Sequence, residues 1–339
     1  MLLGCDVGPR DDQKVVAGEL HVVGVSVSED RPHYSDEAIE VSFDRLLLPS
    51  TVVRQSFVIR DAFDVPVDSP IVTYDPVLRV VRIDNPRLDQ GDPAVRPWML
   101  DNQPYTLTLG VPKPGEDTGG FRALDRATLE TNSKRQWGFI ARVRPVPPRP
   151  PTASNERFCG QVMPVFRAKC ATCHGASRAD MGLDLSSPIS IQKTAIGRLA
   201  RTTARGSSST LPTSIAPGFG RDMAIIDPRS PGTSVLLYKV LMAAPAGEGA
   251  TTPACGGTNF VPPLPVVPYF GGLDSNERDT LGAFITGMPM PFSLQGEGEG
   301  EGGGGGASSA GLSLTEQRVI AAWIADGAVT PPCAACSAP

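Results

Sequence analysis

From Glu19 to Val143 apolar residues fall on alternate positions, in short runs separated by turn signals roughly every ten residues. Val23, Val25 and Val27 alternate, and so do Ile39, Val41 and Phe43. The runs 57–59, 71–74, 80–83, 105–109 and 139–143 follow, making about seven β-rich segments. Side chains in a strand alternate between two faces, so this pattern predicts two sheets sharing one core. Beyond residue 155 the period lengthens. Phe158, Val162 and Phe166 recur at i, i+4 and i+8, one stripe of a helix. Near the end, Val319, Ile320, Trp323 and Ile324 form another apolar face. Ser313 is placed to cap that helix and Glu316 to complete a capping box, while Gly327 ends it. Asp274, Ser275 and Glu277 open a similar segment carrying Leu281, Phe284 and Ile285, with Gly287 after it.

Length and composition divide the chain further. Its 339 residues suffice for two domains with real cores. The run 145–151 holds five prolines and favours a stiff polyproline II spacer of about 20 Å. The Gly/Glu tract between Gly296 and Ala310 buries no core and is expected to stay disordered. Net charge is −5, and no basic stripe appears, which argues against nucleic acid as a partner. No apolar run reaches the roughly 18 residues of a membrane helix. No nucleophile–base pair, paired carboxylates or phosphate-binding loop stands out. His21 and His33 are isolated and read as surface or packing residues.

The chemistry-bearing stretch is Cys170-Ala171-Thr172-Cys173-His174, a C-x-x-C-H pattern. Two thiols two residues apart match the two vinyl groups of one porphyrin, and the following histidine is placed to ligate iron. A zinc site needs two more ligands, yet the other C-x-x-C, Cys333 and Cys336, lies far along the chain. A redox C-x-x-C belongs in a βαβ pattern, and none surrounds this one. The expected cofactor is therefore one covalent haem c.

The flanking residues carry a family resemblance. Val162-Met163-Pro164-Val165-Phe166 before the motif, Gly175 after it, Met181-Gly182-Leu183-Asp184-Leu185-Ser186 and the block 227–239 are similar to c-type cytochrome domains of bacterial envelope proteins, of the planctomycete and myxobacterial kind. The final helix resembles that family's closing helix. The resemblance spans roughly residues 155 to 330 and implies a mainly α cytochrome c-like domain with long irregular loops. It implies His174 as the proximal iron ligand and a methionine from a Met-Pro loop as the distal one. Gly287-Met288-Pro289-Met290-Pro291 stands in that place, with Met290 in the better register and Met288 as the alternative. Met223 and Met242 read as core.

The first half resembles bacterial Ig-like domains of surface-layer and envelope proteins, through Ile39-Glu40-Val41-Ser42-Phe43-Asp44, Leu48-Pro49-Ser50-Thr51-Val52 and Tyr105-Thr106-Leu107-Thr108-Leu109. Leu47 and Leu48 stand where that family has Met-Asp. Leu2-Leu3-Gly4-Cys5 resembles a bacterial lipobox, which implies acylation of Cys5 and a lipid anchor as the only membrane attachment. Of seven cysteines, Cys159, Cys255, Cys333 and Cys336 then remain for disulfides, with three possible connectivities. The expected organisation is a lipobox-like tether (1–17), an all-β Ig-like sandwich (18–144), a Pro-rich linker (145–154), a cytochrome c-like haem domain (155–330) with its Gly/Glu-rich insert (296–311), and a tail (331–339). The expected function is electron transfer to a redox partner protein on the periplasmic side or outer surface of the envelope. The alternatives are a haem enzyme, peroxidase-like or the electron-accepting subunit of a dehydrogenase, and a structural or adhesive surface protein with accessory haem.

Overall fold

The computed structural model describes residues 18–67, 70–85, 98–112, 119–130, 133–144, 157–177, 182–200, 219, 223–247, 262, 264–285, 289–291 and 311–333. The lipobox, the Pro-rich run and the Gly/Glu tract lie outside them. The chain forms two units. A β unit comprises Gln13–Thr152 and Pro263–Phe270, and a helical unit comprises Met1–Asp12, Ala153–Pro262 and Gly271–Pro339.

The β unit contains β1 (Val22–Val25), β2 (His33–Tyr34), β3 (Ile39–Phe43), β4 (Phe57–Asp61), β5 (Ile71–Asp75), β6 (Val80–Asp84), β7 (Gln103–Leu109) and β8 (Gln136–Arg142). They make two four-stranded sheets, ordered β1-β3-β6-β5 and β2-β8-β7-β4. Each of the seven runs overlaps a strand, with Val27 and Val143 falling beyond the ends of β1 and β8. The additional strand, β2, is two residues long and runs parallel to β8, so no periodicity announces it. Val41, Phe43, Val81 and Ile83 from one sheet meet Ile59, Leu107, Leu109 and Phe139 from the other in one buried cluster. Burial of each such side chain stabilises the fold by about 1.5–3 kcal/mol. Thr51, fully buried, donates its hydroxyl to the Leu48 carbonyl at 2.7 Å and accepts from the Arg122 amide at 3.1 Å, which gives the Pro-Ser-Thr turn its structural role.

One strand departs from its pattern. Alternation places Glu40 and Ser42 of β3 on the solvent side, yet they are 5% and 0% exposed. The outer face of this sheet is covered by residues 264–270, which lie within the span 155–330 expected to form the haem domain. The Pro-rich run is therefore not the single passage between the halves. The chain also crosses from one unit to the other at 262/263 and at 270/271.

The helical unit begins with α1, residues 158–170. It is built of wide π-type turns at Phe158–Val162 and Phe166–Cys170 flanking a short α segment, Met163–Val165. Pro164 has no N–H to give the carbonyl four residues back, which disfavours regular α geometry here. There follow α2 (Pro188–Thr194), α3 (Val235–Leu241), α4 (Ser275–Phe284) and α5 (Leu314–Ala325). Helix α4 carries a capping box from Asp274 and Glu277, and α5 one from Ser313 and Glu316. Gly327 follows α5 with φ 101°, a conformation that favours glycine.

The Phe158–Val162–Phe166 stripe is fully buried. Its two rings meet Trp323 of α5 at centroid distances of 5.3 and 5.9 Å. Helix α5 packs in turn against α3. A disulfide joins Cys159 at the start of α1 to Cys333 beyond the end of α5.

Candidate haem-attachment site

Helix α1 delivers Cys170 at its last turn, where the Ala171 amide reaches back to the Phe166 carbonyl at 2.8 Å. The chain then doubles on itself. The Cys170 carbonyl accepts from the amides of both Cys173, at 3.3 Å, and His174, at 2.9 Å. Gly175 completes the turn, because a Cβ there would lie 2.4 Å from the Ala171 carbonyl oxygen. The next segment is tied on by the Leu185 amide, 2.6 Å from the His174 carbonyl. The hairpin thus fixes two thiols and an imidazole on one short turn.

Both thiols are free and half-buried. Burial, reinforced by the nearby Glu316 carboxylate and partly offset by Lys169, pushes the Cys170 thiol up to about 12. A dithiol redox motif needs the opposite, a thiolate available near neutral pH. Nδ1 of His174 is buried and has no hydrogen-bond partner among the described residues. Such an atom costs about 1–3 kcal/mol unless the ring meets another group. Two uncommitted thiols and an imidazole without a structural hydrogen bond at Nδ1 fit the donor set of a covalently attached haem. Cys333 is consumed by its disulfide, and among the described residues no group of three or more His, Cys, Asp or Glu side chains stands together to hold an ion.

The site is braced by residues that the motif does not include. Nζ of Lys169 donates to Oε2 of Glu316 at 2.7 Å and to the Gly311 carbonyl at 3.2 Å. Arg157, at the start of α1, pairs with Asp326 at the end of α5. Trp323, between Phe158 and Phe166, donates its indole N–H to the Val329 carbonyl at 2.9 Å. A lysine beside the first motif cysteine and a capping glutamate were both visible in the sequence. Their pairing was not.

The flanking blocks have local structural reasons. Asp184 accepts from the Ser186 amide and hydroxyl at 2.9 and 2.6 Å, while the Thr194 hydroxyl closes the end of α2 onto the Asp184 backbone. In the block 227–239 the Thr233 hydroxyl donates to Asp227 at 2.5 Å, and the buried Tyr238 hydroxyl donates to the Gly232 carbonyl at 2.7 Å. These are turn and helix-start restraints.

Met290 is half-buried, and its amide donates to the Lys239 carbonyl at 2.9 Å, which fastens the Met-Pro loop to α3. Lys239 is itself buried, and burial lowers its ammonium to about 8. The Met290 loop is therefore held on α3 and the Cys170–His174 turn on α1, with α5 packed against both helices. Met242 is buried at the end of α3, while Met223 is half-buried and accepts the Ala200 amide at its carbonyl. Met288, Cys5, Cys255 and Cys336 lie outside the described residues. His33 is a packing residue, edge-on to Phe139, and Nδ1 of His21 lies 3.2 Å from Glu130.

No family model matches the chain, and no curated protein matches it. Among solved structures it is similar to fragments of the bacterial S-layer protein SbsC. The N-terminal part of that protein aligns at 13% identity over 37% of this chain and 24% of its own, with a TM-score of 0.25. Its domains 1–6 align at 13% identity over 37% and 14%, with a TM-score of 0.24. The chain spans less than a quarter of the length of these relatives, and overlap at this TM-score carries no conclusion about fold or function.

Proposed function

We propose that this chain is a mono-haem c-type cytochrome of the cell envelope that carries electrons to or from a redox partner protein. Its first half then serves as an Ig-like spacer or docking module, anchored through an acylated Cys5. The observation that carries the reading is the Cys170–His174 turn, where two free thiols and an imidazole with an unpartnered Nδ1 are held together by backbone hydrogen bonds. Cys170 and Cys173 would hold the porphyrin through their sulfur atoms, and His174 and Met290 would ligate its iron, with Met288 as the alternative to Met290. The bound group supplies an iron that cycles between two oxidation states. The protein's part is to fix the ligands. The brace of Lys169 on Glu316 and the buried Phe158–Trp323–Phe166 stack hold α1 rigid behind the turn, which suits small reorganisation on electron transfer.

The test is expression with haem-maturation machinery, followed by denaturation and acid–acetone extraction. Haem should stay with the polypeptide, and Cys170→Ser/Cys173→Ser should release it. Free extraction from the native sequence would overturn attachment. A haem that is retained but five-coordinate and reactive with peroxide would favour the enzyme reading. A chain that folds fully without taking up haem would favour a structural role.

A further inference from the structure

We propose that the outer face of the sheet β1-β3-β6-β5 is a receptor for a proline-flanked peptide turn, that Glu40 is its recognition residue, and that the chain fills it with its own residues 264–270. The outer face of a two-sheet sandwich ordinarily meets water and carries polar side chains. Here that face is dry at Glu40 and Ser42.

The segment has the chemistry of a turn presented to a carboxylate, with its backbone bending at Val266 and Val267. Prolines stand at 262, 263, 265 and 268, and each lacks an N–H. Its backbone donors must find partners elsewhere. Pro265 and Pro268 have no N–H, so Val266 and Val267 supply the only amides between them. Both go to one side chain. The Val266 amide donates to Oε2 of Glu40 at 2.7 Å, and the Val267 amide also bonds the Glu40 carboxylate. Arg82 holds the other oxygen of that carboxylate at 2.9 Å. A carboxylate so placed accepts from two successive amides, which a bend in the backbone turns toward the same side.

The surface is shaped for this ligand. Val267 is 4% exposed and packs on Leu78 and Val80, with Tyr269 beside it. Gly24 of β1 lets the segment approach, since a Cβ there would stand 2.6 Å from Cδ of Pro268. The guanidinium of Arg79 lies 4.8 Å from the centre of the Phe270 ring. The Val266 side chain, by contrast, faces outward at 67% exposure. Two amides, one buried valine and one proline seat are thus read, and Tyr269 and Phe270 add contacts to Leu78, Val80 and Arg79. The β unit is in this respect a clasp, independent of whether haem is bound.

Hydrogen–deuterium exchange on the full-length protein tests this. The amides of Val266 and Val267 should be protected, and Glu40→Ala should speed their exchange at least tenfold while the β3–β6 ladder keeps its protection. As a second variant, Val267→Asp should free the face in the full chain. That protein should then bind a labelled synthetic peptide of residues 261–270, the unaltered protein should not, and Glu40→Ala added to Val267→Asp should abolish binding. Equal exchange of the two amides with and without Glu40, or no peptide binding to the Val267→Asp protein, would overturn the proposal.

Discussion

Lys169 and Glu316 are bonded across 147 residues of sequence, with Nζ 2.7 Å from Oε2. The same oxygen accepts the Ser313 amide at 2.7 Å, so one carboxylate both caps α5 and holds the residue before Cys170. The pair is largely shielded, with side-chain exposures of 26% and 10%. Breaking a shielded pair by removing one partner costs more than the pair contributes, because the other charge stays behind. Glu316→Ala should destabilise the helical unit by about 2–4 kcal/mol, cap and ion pair together. A double-mutant cycle with Lys169→Met in urea unfolding should return a coupling above about 1 kcal/mol. A coupling near zero would mean that the two residues act separately.

The disulfide between Cys159 and Cys333 closes a loop with a sequence separation of 174. Cross-linking so long a stretch restricts the unfolded chain, for a stabilisation of about 4–5 kcal/mol before any loss to native strain. It also joins the ends of α1 and α5, on which the Cys170–His174 turn depends. Cys159→Ser with Cys333→Ser should lower the thermal midpoint of the helical unit markedly and leave that of the β unit within a degree or two. Differential scanning calorimetry on the full chain resolves the two transitions. Equal shifts in both would show that the units unfold as one.

His33 gives the β unit an acid-sensitive point. It is 3% exposed, and burial lowers its imidazole from 6.5 to about 4, against the opposing pull of Glu37 and Asp36, with Arg31 also nearby. Because the folded state prefers the neutral ring, the contribution is fully present above 6.5. It is lost as pH falls from there to about 4, where the folded form also takes up the proton. The gap corresponds to on the order of 3 kcal/mol. Urea midpoints measured between pH 7 and 4.5 should fall for the native sequence and fall less for His33→Gln. Parallel curves would place the acid sensitivity elsewhere.

What the sequence revealed and what it hid divide along the range of the interactions. Six of the seven runs follow their strands as period two dictates, whereas in β1 a register shift between Val22 and Gly24 turns Val23 outward and sets Val22 and Val25 against the core. Both capping boxes formed because their four residues are contiguous. The two-residue β2 was illegible, since its pairing with β8 involves only His33 with Ala141 and Tyr34 with Arg142. Glu40 misled for the same reason at greater distance. Its polarity signals solvent, and the amide that dries it comes from Val266, 226 residues away. At the site, the Cys170–His174 turn was written in five residues. The partner of Cys159 and the brace from Lys169 to Glu316 were not, because each depends on how α1 meets α5.

Met290 is open to an unusually clean substitution. Its amide, which the side chain does not share, fastens the loop to the Lys239 carbonyl at 2.9 Å. Met290→Ala keeps that hydrogen bond and Pro291, so it removes the thioether and little else. If the proposed ligation holds, the unaltered ferric protein is low-spin and six-coordinate, with the weak long-wavelength absorption of a methionine–iron bond. A thioether favours the ferrous state and so raises the reduction potential. Met290→Ala should abolish the band and lower the potential, whereas Met288→Ala should leave both nearly intact. Visible spectroscopy and a redox titration of the three proteins decide the matter. Loss of the band in Met288→Ala alone would move the ligand to Met288. Absence of the band in all three, with an iron that binds peroxide, would turn the reading from electron carrier to enzyme.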